Sequence, residues 1–383
     1  MRILFTSSPG WGHVHPMVPL ALAFRERGDE VLWATGSDAA VRLEAEGLTT
    51  AHAGIGERQG MAEFYQRFPE VHDVAPPARP DFTFPRLFGT IRAASMLADL
   101  VPVARTWQPD LVVSDTAEFA GPVAAALLGV PFVSHSFGGL LPEPRVAAAG
   151  DAVAALWTEH GLEPRPYGGM YIHRYVDIYP PSLQPAERPH VTATQLLGPG
   201  PFATAGEDVL PEWVTASGGA PLVYVTFGTV FSNDAALTAV VEGVRDLDVR
   251  VIVTVGPHGD PDSLGAQPDH VHVARYVPQH QLLPACAAVV SHGGSGTFLA
   301  ALAAGLPQLC VPQAADQFFN AAAAVRSGAG RALQPDEVDP GAVRESVQRL
   351  LADPGYAAAA RGIGGEIASM PAPRTVADAL SRS

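Results

Sequence analysis

Short apolar runs alternate with amphipathic stretches along nearly the whole chain. In the first half, four apolar runs have the length of a buried strand. They span 2–7, 31–34, 110–115 and 130–134. The segments between them carry apolar residues at helical spacing, as at Met17, Leu20 and Phe24 ahead of Gly28. Proline suits a first helical position, so the first helix is predicted to begin at Pro16. This alternation predicts strand–helix–strand units and therefore parallel sheets with both faces covered.

The second half of the sequence repeats the scheme. Its predicted strands span 222–227, 249–255, 271–276, 288–291 and 308–311. The stretch from Leu196 to Ala220 is rich in Gly, Pro, Thr and Ala and lacks periodicity, which is typical of a linker. We predict an N-terminal domain at 1–200, a linker at 201–220, a C-terminal domain at 221–365 and a final helix within 366–383. The expected fold is α/β, with two Rossmann-like domains facing each other across a cleft.

Length and charge narrow the classes of partner. The chain has 383 residues, enough for two domains of about 150 residues each. Its formal net charge of −15 disfavours nucleic acids and anionic membranes as partners, because phosphate groups demand clustered positive charge. No apolar run reaches the roughly 20 residues of a membrane span, and no leader pattern precedes the first strand. Cys286 and Cys310 offer neither a disulfide framework nor a zinc cluster, so a cytoplasmic protein is expected.

The strongest local signal is a glycine-rich segment between a predicted strand and a predicted helix. It reads Ser291-His292-Gly293-Gly294-Ser295-Gly296-Thr297. Glycines allow close approach of the backbone to a ligand, and the following helix offers N–H groups without intrahelical partners and a positive dipole end. Such a terminus can bind a pyrophosphate without lysine. A strand–helix turn without a ligand has the same pattern, so this loop alone leaves both interpretations open.

Polar and aromatic residues flank that loop in positions that follow strand ends. In open α/β sheets, ligands bind on this side. The ring of Tyr276 can stack on a base, and Gln279 can pair with a base edge. Asp316 and Gln317 can hydrogen-bond sugar hydroxyls. Singly each signal is weak, because a half-buried tyrosine or a helix cap would give the same sequence.

Five motifs, taken in order, resemble those of the family 1 nucleotide-sugar-dependent glycosyltransferases, which have the GT-B fold. They are Gly12-His13-Val14-His15-Pro16, Pro180-Pro181-Ser182-Leu183-Gln184, Tyr276-Val277-Pro278-Gln279, His292-Gly293-Gly294-Ser295-Gly296-Thr297 and Asp316-Gln317-Phe318-Phe319-Asn320. The resemblance covers essentially the whole chain and is greatest to bacterial members that decorate antibiotics. It implies inverting transfer of a sugar, without metal or other cofactor, from a dTDP- or UDP-sugar to a small hydrophobic aglycone. It also implies that the last helix packs on the N-terminal domain.

The resemblance also assigns roles to individual residues. His13, in the loop after the first strand, would be the general base, and Asp115 would hold and polarise it. His15 and Glu118 are the nearest alternatives to these two. The donor would be held by Thr229, Tyr276, Val277, Gln279, His292, Gly293, Gly294, Ser295, Gly296, Thr297, Asp316, Gln317 and Asn320. The acceptor would be lined by Phe64, Phe82, Phe84, Phe88 and Phe137, although aromatics that pack a long loop onto the core would give the same pattern.

Several alternatives stay open at this stage. The Asp-x-Asp segments 246–248 and 260–262 have a metal-binding spacing, but they occupy a helix end and a turn, so we predict surface carboxylates and no metal. A nicotinamide oxidoreductase is disfavoured because His15 stands where the third glycine of its fingerprint is needed. A nucleotide-sugar epimerase, or an inactive homologue that activates a partner transferase, remains compatible with the sequence. The choice between uracil and thymine stays open, because Tyr276 replaces the tryptophan usual in the family. The sequence also leaves the acceptor, the atom through which the sugar is linked and a possible homodimer undetermined.

Overall fold

The computed structural model consists of two compact units and describes residues 1–200, 210, 214, 219–228, 234–256 and 259–382. Unit 1 comprises Met1–Tyr179, Gln184–Ala205 and Met370–Ser383. Unit 2 comprises Pro180–Leu183 and Gly206–Ser369. Thr229 and most of the predicted linker lie outside the described residues.

Unit 1 is built on a seven-stranded parallel sheet in the order β3-β2-β1-β4-β5-β6-β7. The strands are β1 (Arg2–Thr6), β2 (Glu30–Thr35), β3 (Thr49–His52), β4 (Leu111–Asp115), β5 (Phe132–His135), β6 (Arg174–Asp177) and β7 (Thr194–Leu196). The neighbouring strands β1 and β4 are almost wholly buried, since helices cover the two faces of the sheet. This explains their nearly continuous apolar sequences.

The helices of unit 1 connect these strands. They are α1 (Trp11–Val14), α2 (Val18–Glu26), α3 (Ser37–Ala45), α4 (Glu57–Arg67), α5 (Arg79–Phe84), α6 (Ala93–Trp107), α7 (Ala120–Leu128) and α8 (Glu143–Glu159). A π-helix, Pro85–Arg92, joins α5 to α6, and 3-10 turns lie at His15–Met17, Pro69–Asp73, Pro76–Ala78 and Pro166–Gly169. The continuous stretch Pro76–Trp107 is long and apolar enough, by length and composition alone, to cross a membrane. Half of its apolar window is buried within the protein, and Met96, Leu97 and Leu100 belong to the main core of unit 1.

Unit 2 repeats the architecture with a six-stranded parallel sheet in the order β10-β9-β8-β11-β12-β13. Its strands are β8 (Leu222–Thr226), β9 (Arg250–Thr254), β10 (Val271–Ala274), β11 (Ala288–Ser291), β12 (Gln308–Cys310) and β13 (Gly330–Ala332). Its helices are α9 (Asp234–Val244), α10 (Gln279–Leu282), α11 (Ser295–Ala303), α12 (Gln317–Arg326), α13 (Pro340–Ala352) and α14 (Pro354–Ser369). Further 3-10 turns lie at Pro181–Leu183, Pro261–Leu264 and Leu283–Ala285.

The C-terminal helix α15 (Pro373–Leu380) belongs to unit 1, although unit 2 precedes it in the chain. It packs on α2, and Asp378 forms an ion pair with Arg27 at 3.5 Å. The backbone N–H of Gly198 donates to the carbonyl of Pro371 at 2.8 Å, which ties the segment before α15 to the end of the β7 region.

The strand order creates the same feature in both units. The order reverses between β1 and β4 in unit 1 and between β8 and β11 in unit 2. In open α/β sheets, ligands bind outside the carboxyl ends of the strands at such a reversal. His13 follows β1 and Asp115 is the last residue of β4, whereas Gly228 follows β8 and His292 follows β11. Each unit therefore places its candidate residues at its own switch point.

The structure differs from the sequence predictions at the first helix. Helical conformation begins at Trp11 and not at Pro16, and a 3-10 turn separates α1 from α2. His13 therefore lies in a short helical turn and not in an irregular loop. Gly10 precedes the turn in an extended conformation, with φ −62° and ψ 133°. Proline suits the beginning of the 3-10 turn equally well, which is why it misplaced the predicted helix start.

Candidate active site and glycine loop

His13 and Asp115 form a pair at the switch point of unit 1. The Nδ1 atom of His13 lies 3.3 Å from Oδ1 of Asp115. Asp115 is fully buried at the end of β4, and its carboxylate accepts the backbone N–H of Ser8 at 2.8 Å and of Ala117 at 2.6 Å. These two amides fix the carboxylate from both sides of the switch point. A carboxylate held in this way can orient the imidazole and stabilise its protonated form.

Two aromatic rings flank the imidazole of His13. The ring centroid of Phe137 lies 4.5 Å from that of His13, and the centroid of Phe88 lies 5.2 Å from it. The side chain of His13 is 18% exposed, so one edge of the ring remains open between these contacts. Asp115, Phe88 and Phe137 together restrict how the ring can turn. The arrangement suits a base that must present one nitrogen in a fixed direction.

His15 and Glu118, the alternatives to His13 and Asp115 (together the dyad), make different contacts. The carboxylate of Glu118 accepts the hydroxyl of Thr6 at 2.6 Å and the N–H groups of Ala120 and Gly121 at 2.7 and 2.9 Å. It therefore binds the start of α7, and burial raises its pKa to about 7. Burial lowers the pKa of His15 to about 4, so its imidazole is neutral near pH 7. Of the two carboxylates, Asp115 is the one hydrogen-bonded to His13.

The five phenylalanines predicted to line the acceptor site separate into three groups. Phe88 and Phe137 contact the ring of His13. Phe64 is 1% exposed and packs in a small core cluster with Val71, Leu87 and Ile91, against which the ring of Phe82 also packs. Phe84 is buried in the main core of unit 1. Only Phe88 and Phe137 are thus placed next to the dyad.

In unit 2, the imidazole of His292 lies between two glycines. A Cβ at Gly228 would lie 2.8 Å from Cε1 of His292, and a Cβ at Gly294 would lie 2.5 Å from Nε2. Both positions therefore exclude larger residues while the ring stays in place. Burial lowers the pKa of His292, although the charge of Asp316 opposes this effect. Its Nδ1 is buried and has no hydrogen-bond partner in the described part of the chain.

A hydrogen-bond network joins the glycine loop to the segment after β12. The hydroxyl of Ser295 donates to Oδ2 of Asp316 at 2.5 Å. The side-chain amide of Asn320 lies within hydrogen-bond distance of the carbonyl of Gly293, at 2.8 Å, and of Oγ of Ser295, at 3.0 Å. The helix α11 begins at Ser295 without a side-chain cap. Its first amides are therefore not occupied by a capping side chain, which is the condition for binding an anion.

Gln317 and its neighbours differ from the sequence expectation. Its Oε1 accepts the backbone N–H groups of Gln313 and Ala314 at 2.7 and 2.9 Å, so this oxygen shapes the loop instead of pointing to a ligand. Ala315 has a positive φ of 54°, which is uncommon for a residue with a side chain. Such strain often marks a functional loop, and no sequence pattern predicts it at this position.

The segment predicted to receive the base is partly exposed and partly buried. Tyr276 is 49% exposed, whereas Val277 is 5% exposed and packs in a core cluster of unit 2. The side-chain amide of Gln279 donates to the hydroxyl of Thr297 at 3.1 Å, which links this segment to the glycine loop. Gly296 is exposed and has no atom within 4 Å of a would-be Cβ.

Comparisons with known proteins show the family of this chain. Residues 22–228 and 238–382 match the family models of the N- and C-terminal domains of "Erythromycin biosynthesis protein CIII-like" proteins. The chain belongs to this family. It is 34% identical to the elloramycin glycosyltransferase ElmGT of Streptomyces olivaceus, over 99% of this chain and 97% of that protein. The transferase is thus a family 1 antibiotic glycosyltransferase that acts in natural-product biosynthesis.

Solved structures show the same fold. The glycosyltransferase VinC, in complex with dTDP, is 29% identical and has a TM-score of 0.82, with coverage of 100% of this chain and 99% of that one. The spinosyn rhamnosyltransferase SpnG, in complex with spinosyn aglycone, is 28% identical with a TM-score of 0.82, and both chains are covered completely. The transferase accordingly has the GT-B fold, with two Rossmann-like parallel-sheet domains.

The acidic pairs with metal-binding spacing have other environments in the transferase. Asp246 forms an ion pair with Arg344, and the side chain of Asp260 accepts the N–H of Asp262 at the start of a 3-10 turn. Within the described ranges, no group of three or more His, Cys, Asp or Glu side chains could hold a metal ion.

The structure also shows residues of the site that the sequence analysis did not identify. Ser8 fixes Asp115 through its backbone, and Gly228 makes room for His292. A signal existed for Gly228, since it directly follows a buried strand at a position equivalent to the loop after β1. Nothing in the sequence indicates the contact of Ser8, because any residue other than proline supplies the same N–H.

Proposed function

We propose that this transferase moves a sugar from a dTDP- or UDP-sugar to a small hydrophobic natural-product aglycone, with inversion and without a metal ion. The observation that carries this proposal is the His13–Asp115 pair at the switch point of unit 1. A hydroxyl is a poor nucleophile until a base accepts its proton, and a positioned base typically contributes about 10²–10⁴-fold in rate.

His13 takes the proton from the acceptor hydroxyl in this mechanism. Asp115 fixes the tautomer of the imidazole and stabilises the imidazolium. The oxygen of the acceptor forms a bond to the anomeric carbon of the donor as the bond from that carbon to the diphosphate breaks. Attack on the face opposite the diphosphate inverts the anomeric centre. The contacts of His13 with Phe88 and Phe137 support an aromatic or otherwise apolar acceptor beside the dyad.

The glycine loop of unit 2 holds the diphosphate. The first amides of α11 and the side chain of His292 donate hydrogen bonds to phosphate oxygens, and the helix dipole stabilises the negative charge that develops on the leaving group. Asp316 binds the sugar, and the exposed ring of Tyr276 stacks on the pyrimidine. The dTDP bound by VinC supports a thymidine diphosphate donor here. Neither part of the mechanism requires a cofactor, because the dyad and the loop supply the base and the leaving-group stabilisation.

Calorimetric titration of the full chain with dTDP, UDP and NAD⁺, each with and without EDTA, tests the donor site. We expect micromolar binding of a pyrimidine diphosphate that EDTA does not change, and a loss of at least tenfold in affinity for His292→Ala. The matched control is His13→Gln, which lies in unit 1 and should bind the diphosphate as the wild type does. Absence of diphosphate binding, or tight binding of NAD⁺, would contradict the proposal.

The acceptor half requires a second assay. We expect release of the diphosphate to depend on an apolar acceptor and to be lost in His13→Gln. Conversion of the donor sugar without any acceptor would instead indicate an epimerase. Sugar transfer that persists in His13→Gln would remove the dyad from the mechanism.

A further inference from the structure

A chain of contacts leads from the imidazole of His13 to a buried arginine. The guanidinium carbon of Arg92 lies 5.0 Å from the ring centroid of Phe88, and this ring contacts His13. The side chain of Arg92 is 6% exposed. A cation over an aromatic face contributes about 0.5–2 kcal/mol, with the larger values where the cation is desolvated. Arg92 therefore backs one of the two rings that restrain the imidazole.

The carboxylate of Glu57 lies between Arg92 and the turn that carries His13. Glu57 pairs with Arg92 at 2.7 Å, between Oε2 and Nη2. A Cβ at Gly10 would lie 3.2 Å from Cδ2 of His13 and 3.3 Å from Oε2 of Glu57. The carboxylate of Glu57 and the imidazole of His13 therefore both lie beside this glycine. The ion pair is thus next to the start of the turn that carries His13, and its guanidinium lies over the ring of Phe88.

The backbone around Arg92 is irregular in a way that serves this contact. Phe88 and Arg92 lie in the π-helix Pro85–Arg92, and the N–H of Ala93 donates to the carbonyl of Phe88, five residues earlier. π-Helical turns are rare and are frequent at functional sites. The Nε of Arg92 is buried and has no hydrogen-bond partner in the described part of the chain. An arginine that only stabilised the fold would be expected to have its donors satisfied.

We propose that Arg92 is a positioning residue for His13, which acts through Phe88 and, together with Glu57, places a compensated pair of charges beside the imidazole. The inference rests on the proposed role of His13 as the general base. The positive charge of Arg92 opposes protonation of the imidazole and the negative charge of Glu57 favours it. While both are present, their effects largely cancel, and Asp115 remains the dominant charged partner.

The other titratable groups near His13 do not duplicate this pair. Asp115 contacts the imidazole directly, and Glu118 and His135 lie near Asp115 around the ends of β4 and β5. The guanidinium of Arg42 lies 5.0 Å from the ring centroid of Trp11, on the turn of His13, and is unchanged in every variant. Burial lowers the pKa of His135 to about 4, so this residue is neutral near pH 7. The same holds for His15 on the turn of His13 itself. Arg92 and Glu57 are therefore the two groups whose removal should act on His13 with opposite sign.

The test is an NMR titration of histidine-labelled, unliganded full-length protein, in which His13→Gln identifies the His13 signal. We expect the titration midpoint of the His13 imidazole to rise by about half to one pH unit in Arg92→Met and to fall by a similar amount in Glu57→Gln. This is the size expected for unit charges about 7–10 Å away at an effective dielectric constant of about 40, with Glu57 the nearer of the two. The double variant should return the midpoint to near the wild-type value.

One further variant and the exposure of Glu57 separate positioning from general loss of structure. Arg92→Lys keeps the charge and should leave the midpoint within about 0.2 pH units of the wild type. It loses the contact of the guanidinium with Phe88, so kcat should fall about three- to tenfold with KM for the donor unchanged. Glu57 is 35% exposed, so Glu57→Gln folds even if Arg92→Met does not, and its midpoint alone carries the test.

Midpoints that do not move in either variant, or that move in the same direction in both, would overturn the inference. The titration requires no turnover. If wild-type protein shows no sugar transfer while the midpoints shift as expected, the proposed function fails and the positioning arrangement stands. If sugar transfer depends on His13 but the midpoints do not shift, the proposed function stands and the positioning role of Arg92 fails.

Discussion

Replacing Asp115 by asparagine removes one acceptor from a carboxylate on which three donors converge. The side chain accepts hydrogen bonds from the backbone of Ser8 and Ala117 and pairs with Nδ1 of His13. An asparagine has a single oxygen, so its NH2 group must face at least one of these donors. Leaving a buried donor unsatisfied costs about 1–3 kcal/mol of folding free energy. We therefore expect Asp115→Asn to fold with reduced stability.

The effect of this variant on catalysis should be larger than its effect on folding. An imidazole without its carboxylate loses both its fixed tautomer and the stabilisation of its protonated form, which costs about 10²–10⁴-fold in kcat. That factor corresponds to about 3–5 kcal/mol in activation free energy. KM for the donor should stay within about twofold, because the glycine loop belongs to unit 2. Initial rates of diphosphate release, measured over a range of donor concentrations at saturating acceptor, give both kcat and KM for the donor.

Non-additivity distinguishes a dyad from two independent contributions. If His13 and Asp115 act as a unit, the double variant His13→Gln/Asp115→Asn should lose little more activity than the worse of the two single variants. The reasoning would be refuted if Asp115→Asn kept kcat within threefold of the wild type, or if the factors lost in the two single variants multiplied in the double variant.

Three further predictions follow from burial and close contacts. Burial raises the pKa of Glu118 from its usual 4.5 to about 7, so between these values the folded state retains a proton that the unfolded chain releases. The free energy of unfolding therefore falls as the pH rises from 5 to 8, and urea titrations at these two pH values should show that this fall is about 2–3 kcal/mol smaller in Glu118→Gln. Gly121→Ala places a Cβ in steric conflict with Oγ of Ser114 and should lower the free energy of unfolding by about 1–3 kcal/mol. Its control Gly362→Ala, in α14, has open space around the new Cβ and should raise the free energy of unfolding by about 0.5–1 kcal/mol. Gly228→Ala should weaken dTDP binding at least tenfold in calorimetry, because the new Cβ displaces the ring of His292. Gly265 has a similar positive φ but open space around it, so Gly265→Ala should leave the affinity for dTDP unchanged.

The parts of the fold that were predictable are those in which burial produces a continuous apolar run. β4 and β8 are wholly buried, and both were found to within a residue or two. β7 and β13 have three residues each and lie at sheet edges, where pairing with a single neighbour defines the strand. No apolar pattern is required at such positions, so nothing in the sequence indicated them.

The candidate site was predictable to the extent that residue types and strand ends define it. His13 and Asp115 are brought together because β1 and β4 are neighbours in the sheet. The fates of the predicted phenylalanines depended on tertiary packing, since Phe64 faces a core cluster and Phe88 faces the dyad. The pairing of Glu57 with residue 92 spans 35 positions and could not be read from local spacing.

The central claim is that the protein transfers a sugar from a nucleoside diphosphate donor to an acceptor hydroxyl whose proton is taken by His13. Its most direct test incubates the full chain with a dTDP-α-sugar and a panel of aromatic and macrocyclic aglycones, followed by mass spectrometry and proton NMR of the anomeric centre. We predict acceptor-dependent release of dTDP and a β-linked product that forms in the presence of EDTA and is absent with His13→Gln. An α-linked product, a requirement for a divalent metal, or undiminished transfer by His13→Gln would contradict the account.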